Sequence, residues 1–245
     1  VGSAGAKRAA ADRSGSAGTI LSFSKIKAMT TDWIEKLFAN PDMLTMGHGQ
    51  RKEDLNLGLG WLYYGLVRAM RPRQAVCIGS WRGFVPITIG QAMKDNNEGG
   101  QVLFIDPSLV DEQWADADRT RAWFAGYGLD NIRHVRMTTQ TFVDSTEYRA
   151  LGPVDLLFVD GFHSAEQARF DHEAFVRLLS ADAMVLFHDS VRRMTSRIYG
   201  ETRPYEHTVV DYIEQLKSRH DLQVMDFHLD SGLTLVRQAN QAASP

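Results

Sequence analysis

The sequence predicts an α/β fold, a mostly parallel sheet that ends in an antiparallel hairpin and carries helices on both faces. Unbroken apolar runs at Val154–Val159 and Met184–Phe187 suit strands buried on both sides of a parallel sheet. Strand and helix patterns alternate from Gln74 onward, as in repeated βαβ units. The last two strand patterns are separated only by Leu229-Asp230-Ser231, too short for a crossover, so they must pair antiparallel.

The first stretch, Val1 to Gly18, is rich in Gly, Ala and Ser with Lys7, Arg8 and Arg13. It lacks the apolar core of about 7–15 residues that a secretory signal needs and is expected to be a flexible leader. Thr31 to Phe38 reads as a short helix, with Thr30 or Thr31 as N-cap and Asn40-Pro41 as its stop. Met43 to Asp54 is polar and unpatterned, a loop and a candidate lid, in which His48 is a candidate substrate contact. Leu55 to Met70 has helical periodicity through Leu59, Leu62, Tyr63, Leu66 and Val67 until Arg71-Pro72 ends it. Trp61, Tyr63 and Tyr64 fall within that pattern and are expected to pack in the core.

Strands are then expected at Gln74–Ile78, Val102–Ile105, Ile132–Met137, Val154–Val159, Ala183–Phe187, Leu222–His228 and Gly232–Val236. Helices are expected at Phe84–Lys94, Asp118–Tyr127, Ser164–Leu179 and Thr208–Arg219. The organisation is therefore a leader over 1–18, an N-terminal helix and lid segment over 19–54, and one α/β domain over 55–240.

A chain of 245 residues is long enough for one such domain. Its net charge of −3 and the absence of any basic block argue against a nucleic-acid partner. No window approaches the roughly 18 consecutive apolar residues of a membrane span. Cys77 is the only cysteine, which excludes an internal disulfide and a cysteine metal cluster. A cytoplasmic setting and a small-molecule partner are expected, and a homo-oligomer stays open.

The most informative run is Ala75 to Phe84. An apolar strand breaks into a loop with Gly79 and Gly83, and a helical pattern follows at once. Glycine permits positive φ there and lets a ligand approach without meeting a Cβ. The next strand ends in Asp106, where a carboxylate can accept hydrogen bonds from both ribose hydroxyls of an adenosine. A nucleoside-containing cofactor follows from these two features. The loop lacks the G-x-G-x-x-G spacing that seats a pyrophosphate on a helix N-terminus.

These features resemble the class I S-adenosylmethionine-dependent methyltransferases, whose Rossmann-like sheet also closes with an antiparallel hairpin. The family's first motif, acid-x-Gly-x-x-x-Gly, matches Cys77-Ile78-Gly79-Ser80-Trp81-Arg82-Gly83. Asp106 falls at the ribose-binding acid, and Thr138-Thr139-Gln140-Thr141 falls where side chains often bracket the adenine. Leu157–Ser164, with Asp160-Gly161-Phe162-His163, and Leu186–Ser190, with His188-Asp189, resemble a small-molecule O-methyltransferase subgroup. That subgroup includes natural-product and sugar methyltransferases, several metal-dependent, and cephalosporin hydroxylase-like proteins. The resemblance covers about Leu55 to Arg237. It implies S-adenosylmethionine bound by Gly79, Ser80, Trp81, Gly83, Asp106, Thr138, Thr139 and Asp160. It departs at Cys77, which stands where the family has an acid; a small buried residue at a strand end is the plain reading of that cysteine.

In the methyltransferase strand order, Asp160 and Asp189 end neighbouring strands about 4.8 Å apart. Carboxylates held that close repel each other, and Mg²⁺ or another divalent metal between them would remove the conflict. The metal set is Asp160, Asp189 and His188, whose imidazole suits Mn²⁺, Fe²⁺ or Zn²⁺ better than Mg²⁺. The alternative is that both acids fix turns or cap helices.

His163 is the candidate general base, working beside Asp160, because an imidazole titrates near neutrality. It also stands just before Ser164-x-x-Gln167, a capping-box pattern that gives it a structural reading. Trp81 either covers the cofactor or packs under the loop. Arg192, Arg193, Arg197 and Arg203 meet an anionic acceptor or lie in a solvated loop.

The leading function is methyl transfer from S-adenosylmethionine to a hydroxyl of a small molecule. N-methylation, a hydroxylase-like oxygen-inserting system and a non-catalytic S-adenosylmethionine-binding protein are the competing readings. An NAD-dependent dehydrogenase is a remote fourth.

Overall fold

A computed structural model describes residue 1, residues 31–197 and residues 200–239. Most of the expected leader, and Thr30 as a cap, lie outside the described residues.

Among the described residues nine strands form in chain order: β1 Gln74–Ile78, β2 Gln101–Ile105, β3 Ile132–Val135, β4 Val154–Val159, β5 Leu179–His188, β6 Met194–Ser196, β7 Tyr205–His207, β8 Leu222–Phe227 and β9 Leu233–Gln238. The helices are α1 Asp32–Phe38, α2 Leu59–Met70, α3 Phe84–Asn96, α4 Ala117–Gly126, α5 Thr139–Val143, α6 Thr146–Ala150, α7 Ala165–Phe175 and α8 Val209–Lys217. Seven strands make one sheet in the order β3-β2-β1-β4-β5-β9-β8, while β6 and β7 pair separately. All pairs from β3 to β5 are parallel, and β9 runs antiparallel to both β5 and β8. The sheet is the Rossmann-like, hairpin-ended one that the sequence predicts.

Side-chain alternation along the strands divides the core between the two faces. Ala75, Cys77, Phe104, Leu156, Phe158 and Leu186 pack with α1 to α4 on one side. Val76, Ile78, Ile105, Leu157, Val159 and Phe187 pack with Phe142, Phe175 and the α8 residues Tyr212, Ile213 and Leu216 on the other. The central strands β1 and β4 are thus buried on both faces, which is why their sequences show no polar alternation.

Several boundaries differ from the sequence reading. The helix expected from Leu55 begins at Leu59, because Arg51 and Asn56 pair across a tight turn in which Leu55 takes φ +53°. The helix expected to run to Leu179 ends at Phe175, passes through a 3₁₀ turn over Val176–Leu178, and hands directly to β5. The strand expected to reach Met137 stops at Val135, and the threonine run after it is helical, with Thr138 capping α5 through Thr141 N–H. The polar segment Ser190–Glu206 contains β6 and most of β7; strands of three residues are too short to show alternation.

The 43–54 segment is anchored in its first half and exposed over residues 51–54. Met43 and His48 are fully buried, and a 3₁₀ turn over Pro41–Leu44 precedes the loop. Arg82 pins that turn to the glycine loop: its Nε donates to Asp42 at 2.7 Å and its Nη1 to Asp111 at 2.6 Å.

Candidate functional site

The carboxyl ends of β1, β2, β4 and β5 open onto one cavity of about 650 Å³. This is where an open α/β sheet presents its loops to ligands, and the volume lies within the usual range for a small-molecule site. Gly79, Ser80, Trp81, Asp106, Thr138 and Thr139 line one part; Asp160, His163, His188, Asp189 and His207 line another.

The cofactor end is built from backbone crossings. Gly79 takes φ +71°, and a Cβ placed on it would lie 2.2 Å from the Asp160 carbonyl oxygen. Its bare α-carbon is therefore required where the β1 and β4 loops cross, in addition to the positive φ expected from the sequence. A Cβ on Gly83 would meet the Trp114 ring at 3.2 Å, again a packing constraint. Ser80 is buried, and its hydroxyl accepts from Val85 N–H at the start of α3.

Asp106 receives Ser108 N–H on Oδ1 at 2.7 Å and a second backbone hydrogen bond from Ser80. Burial outweighs these bonds and pushes its carboxyl up to about 6. A buried acid in that state gains from further donors, which ribose hydroxyls supply. Trp81 lines the cavity with Arg82 stacked over its ring at 4.3 Å, and its indole N–H donates to Asp111. It is a wall of the cavity held by the same arginine clamp. Thr139 is buried and hydrogen-bonds Asp171, whose carboxyl burial raises to about 6.

At the other end, β4 and β5 pair so that Val159 stands beside Phe187, which brings Asp160 level with His188. The two carboxylates are bridged by that imidazole: His188 Nδ1 lies 3.0 Å from Asp160 Oδ1 and 3.3 Å from Asp189 Oδ1. The acids lift His188 to about 9 despite its burial, and in turn His188 and the hydrogen bond from His207 hold Asp189 well below the carboxylate range. His163 Nδ1 faces Asp189 Oδ2 at 3.3 Å and Asp160 Oδ1 at 3.8 Å without a well-directed hydrogen bond. Burial keeps the His163 imidazole below its ordinary value, against the pull of both acids. The capping role of its neighbour is also real, since Ser164 Oγ accepts from Gln167 N–H. The Gln167 side chain turns instead to Gln140 and Asp171, so the capping box is only half formed.

Two histidines complete the cluster. His207, from β7, donates from Nδ1 to Asp189 Oδ2 at 2.8 Å and stacks on His163 with ring centroids 4.3 Å apart. It was absent from the sequence-predicted set, because nothing in the polar run before it marks a strand. His48 lies 4.1 Å from His188, centroid to centroid, with Nδ1 against Tyr63 Oη at 3.1 Å. Its only sequence signal was the flanking pair Gly47 and Gly49.

Two of the four arginines of the 190–206 segment are committed to acids. Arg193 pairs with Glu206 and Asp211, and Arg197, although it lines the cavity, pairs with Glu201. Arg192 donates to the Asp230 carbonyl. Cys77 is fully buried in β1 among core side chains, and burial pushes its thiol far up.

Comparison with known proteins agrees with this geometry. Residues 76–190 match the family model Methyltransf_24, described as a methyltransferase domain. The uncharacterized protein y4gI of Sinorhizobium fredii is 29% identical over 136 residues, 53% of this chain but 15% of that protein's length. Among solved structures, an O-methyltransferase from Bacillus cereus in complex with SAH superposes with a TM-score of 0.62 at 14% identity, covering 88% of this chain and 94% of the other. TomG of Streptomyces achromogenes, an O-methyltransferase of tomaymycin synthesis in complex with SAM, gives 0.56 at 17% identity, covering 86% and 99%. The SAH-bound methyltransferase PaMTH1 of Podospora anserina gives 0.57 at 17%, covering 85% and 87%.

Proposed function

Because residues 76–190 match a methyltransferase-domain model and the fold superposes on an O-methyltransferase, we propose that the chain transfers the methyl group of S-adenosylmethionine to a hydroxyl oxygen of a small molecule. The observation that carries this reading is the single cavity shared by Asp106 and the His163–Asp189 cluster. Donor and acceptor can occupy one enclosed space, which an in-line displacement needs. SAH and SAM in the Bacillus cereus and TomG structures support the choice of donor.

Each residue then has a task. Asp106, fixed by two backbone amides, accepts the ribose hydroxyls. Gly79, Ser80 and Trp81 shape the wall beside it, with Thr138, Thr139 and Asp160 also lining the cavity, while Gly83, expected from the sequence to touch the cofactor, packs against Trp114 and Phe124 instead. His163 keeps its imidazole neutral near pH 7. With Nδ1 turned to Asp189, it leaves Nε2 to take the acceptor's proton as the methyl group transfers. Asp189, supported by His207, stabilises the imidazolium so formed.

The donor set also suits a divalent cation on Asp160, Asp189 and His188, which would lower the acceptor hydroxyl's pKa and hold its oxygen. The histidine-rich cluster gives weight to one alternative, the hydroxylase-like reading, since His163, Asp189 and His207 form a second group with metal-ligand spacing.

Among the described residues no helix is long and apolar enough to cross a membrane. Small hydroxylated metabolites of natural-product type are the proposed acceptors, in a cytoplasmic setting. Calorimetry with SAH, followed by transfer of labelled methyl groups to a panel of hydroxyl and amine acceptors, tests the reading. Failure to bind SAH sinks it. An oxygen-dependent product without methyl transfer favours the alternative.

A further inference from the structure

We infer that His48 is a metal ligand, and that with His188, Asp160 and Asp189 it makes a two-imidazole, two-carboxylate site selective for a transition-metal dication over magnesium. The inference rests on the proposed Asp160–Asp189 metal position and names the ligand and metal class that position takes.

Hydrogen-bond accounting leads to it. His188 Nε2 lies 3.0 Å from the Gly47 carbonyl, which can only accept, so that nitrogen carries a proton and donates. Without an ion, Nδ1 carries the proton that bridges the carboxylate oxygens of Asp160 and Asp189, at 3.0 and 3.3 Å, and a dication would take that proton's place. Two carboxylate oxygens thus flank one ring nitrogen. Adjacent ligands around an ion with bonds of about 2.1 Å lie roughly 3.0–3.4 Å apart, so these spacings are those of neighbouring vertices in one coordination shell.

The fourth donor is His48. His48 is fully buried, and its Nδ1 is engaged by Tyr63. Its Nε2 has no hydrogen-bond partner, an arrangement that is costly for a buried polar atom. Ligand atoms of His48, Asp160 and His188 all lie within 4.8 Å of one another.

The partners of the outward nitrogens fix both rings, the Gly47 carbonyl for His188 and Tyr63 for His48, as outer partners do for metal-binding histidines. Mg²⁺ favours octahedral oxygen ligation and retained water, whereas imidazole suits zinc, iron, cobalt and manganese. Two nitrogens among four donors therefore place the site in the second class. His163 and His207 stand on the opposite carboxylate oxygen of Asp189, which leaves His163 free for its proton.

The test uses the full chain freed of metal by chelation, with zinc and magnesium as probes and histidine side-chain ¹⁵N NMR as the reading. One equivalent of Zn²⁺ should move His48 Nε2 and His188 Nδ1 to metal-bound shifts and leave His163 and His207 in place. Zn²⁺ should bind at least about 100-fold more tightly than Mg²⁺. His48→Gln should weaken zinc at least about tenfold while SAH affinity stays within about twofold.

An unmoved His48 resonance in the wild-type chain overturns the inference whether or not the variant folds. Equal affinity for the two metals also overturns it. SAH titration of the same sample separates the two readings. SAH binding with an unmoved His48 overturns this inference and leaves the methyltransferase reading standing. A moved His48 without SAH binding sustains it and removes that reading.

Discussion

His163 and Asp189 are both held in the left-handed backbone region, at φ +56° and +53°, and from there their side chains meet at 3.3 Å. Neither is glycine, so each position costs on the order of 1 kcal/mol that the surrounding packing must hold. Such strain concentrates where a side chain has to be aimed.

Replacing His163 with Asn tests that aim without adding backbone strain, because Asn tolerates the left-handed region. Turnover should fall at least about 100-fold, the usual contribution of a general base, while SAH affinity changes by less than about threefold. Single-turnover rates and calorimetry on the same preparation separate the two effects. Unchanged turnover removes His163 from the proton-transfer role.

Asp106→Asn should raise the SAH dissociation constant by roughly 10- to 100-fold, since hydrogen bonds to a charged acceptor are lost. The wild-type carboxyl sits up at about 6. Below that pH it is protonated and accepts the ribose hydroxyls less well, so affinity should fall as pH drops through 6. The Asn variant should lose this dependence. A wild-type affinity flat from pH 5 to pH 8 would contradict the assignment.

Gly79→Ala should destabilise the fold by on the order of 3 kcal/mol or more, because the new methyl group would lie 2.2 Å from the Asp160 carbonyl. Denaturant unfolding measures it directly. A loss under about 1 kcal/mol would show that the crossing can relax.

His172 supplies an acid sensitivity away from the cavity. Burial drives its imidazole down to about 4 while Tyr212 holds its Nδ1 at 2.8 Å. Above pH 6.5 the ring is neutral folded and unfolded, and it contributes no pH dependence. Below 6.5 only the unfolded chain takes the proton, so stability should fall as pH drops and level off near 4. The loss should total about 3 kcal/mol. His172→Gln should flatten this part of the profile, which urea midpoints across pH 4–7 would show.

Much of the site was legible because open sheets put their chemistry at strand ends. Asp106, Asp160, His188 and Asp189 each terminate an apolar run, and strand order alone brings the last three together. Their partners were illegible for a definite reason. His207 rides on a three-residue strand, and His48 on a turn held by Tyr63 and, through the neighbouring Gly47 carbonyl, by His188 and Ser231, all far away in sequence. The glycine loop and its positive φ were legible, but the second constraint on Gly79 was not. Periodicity locates Gly79 without revealing that a neighbouring strand's carbonyl passes within a methyl's reach.

The buried Cys77 turns this chain into its own clock. With one thiol in the sequence, placed in the central strand and shut off from solvent, alkylation can proceed only when the middle of the sheet opens. Labelling rates would then time that opening residue-specifically, with no engineered probe. Ligands that clamp the loop following this strand should slow the clock in proportion to how firmly they hold it.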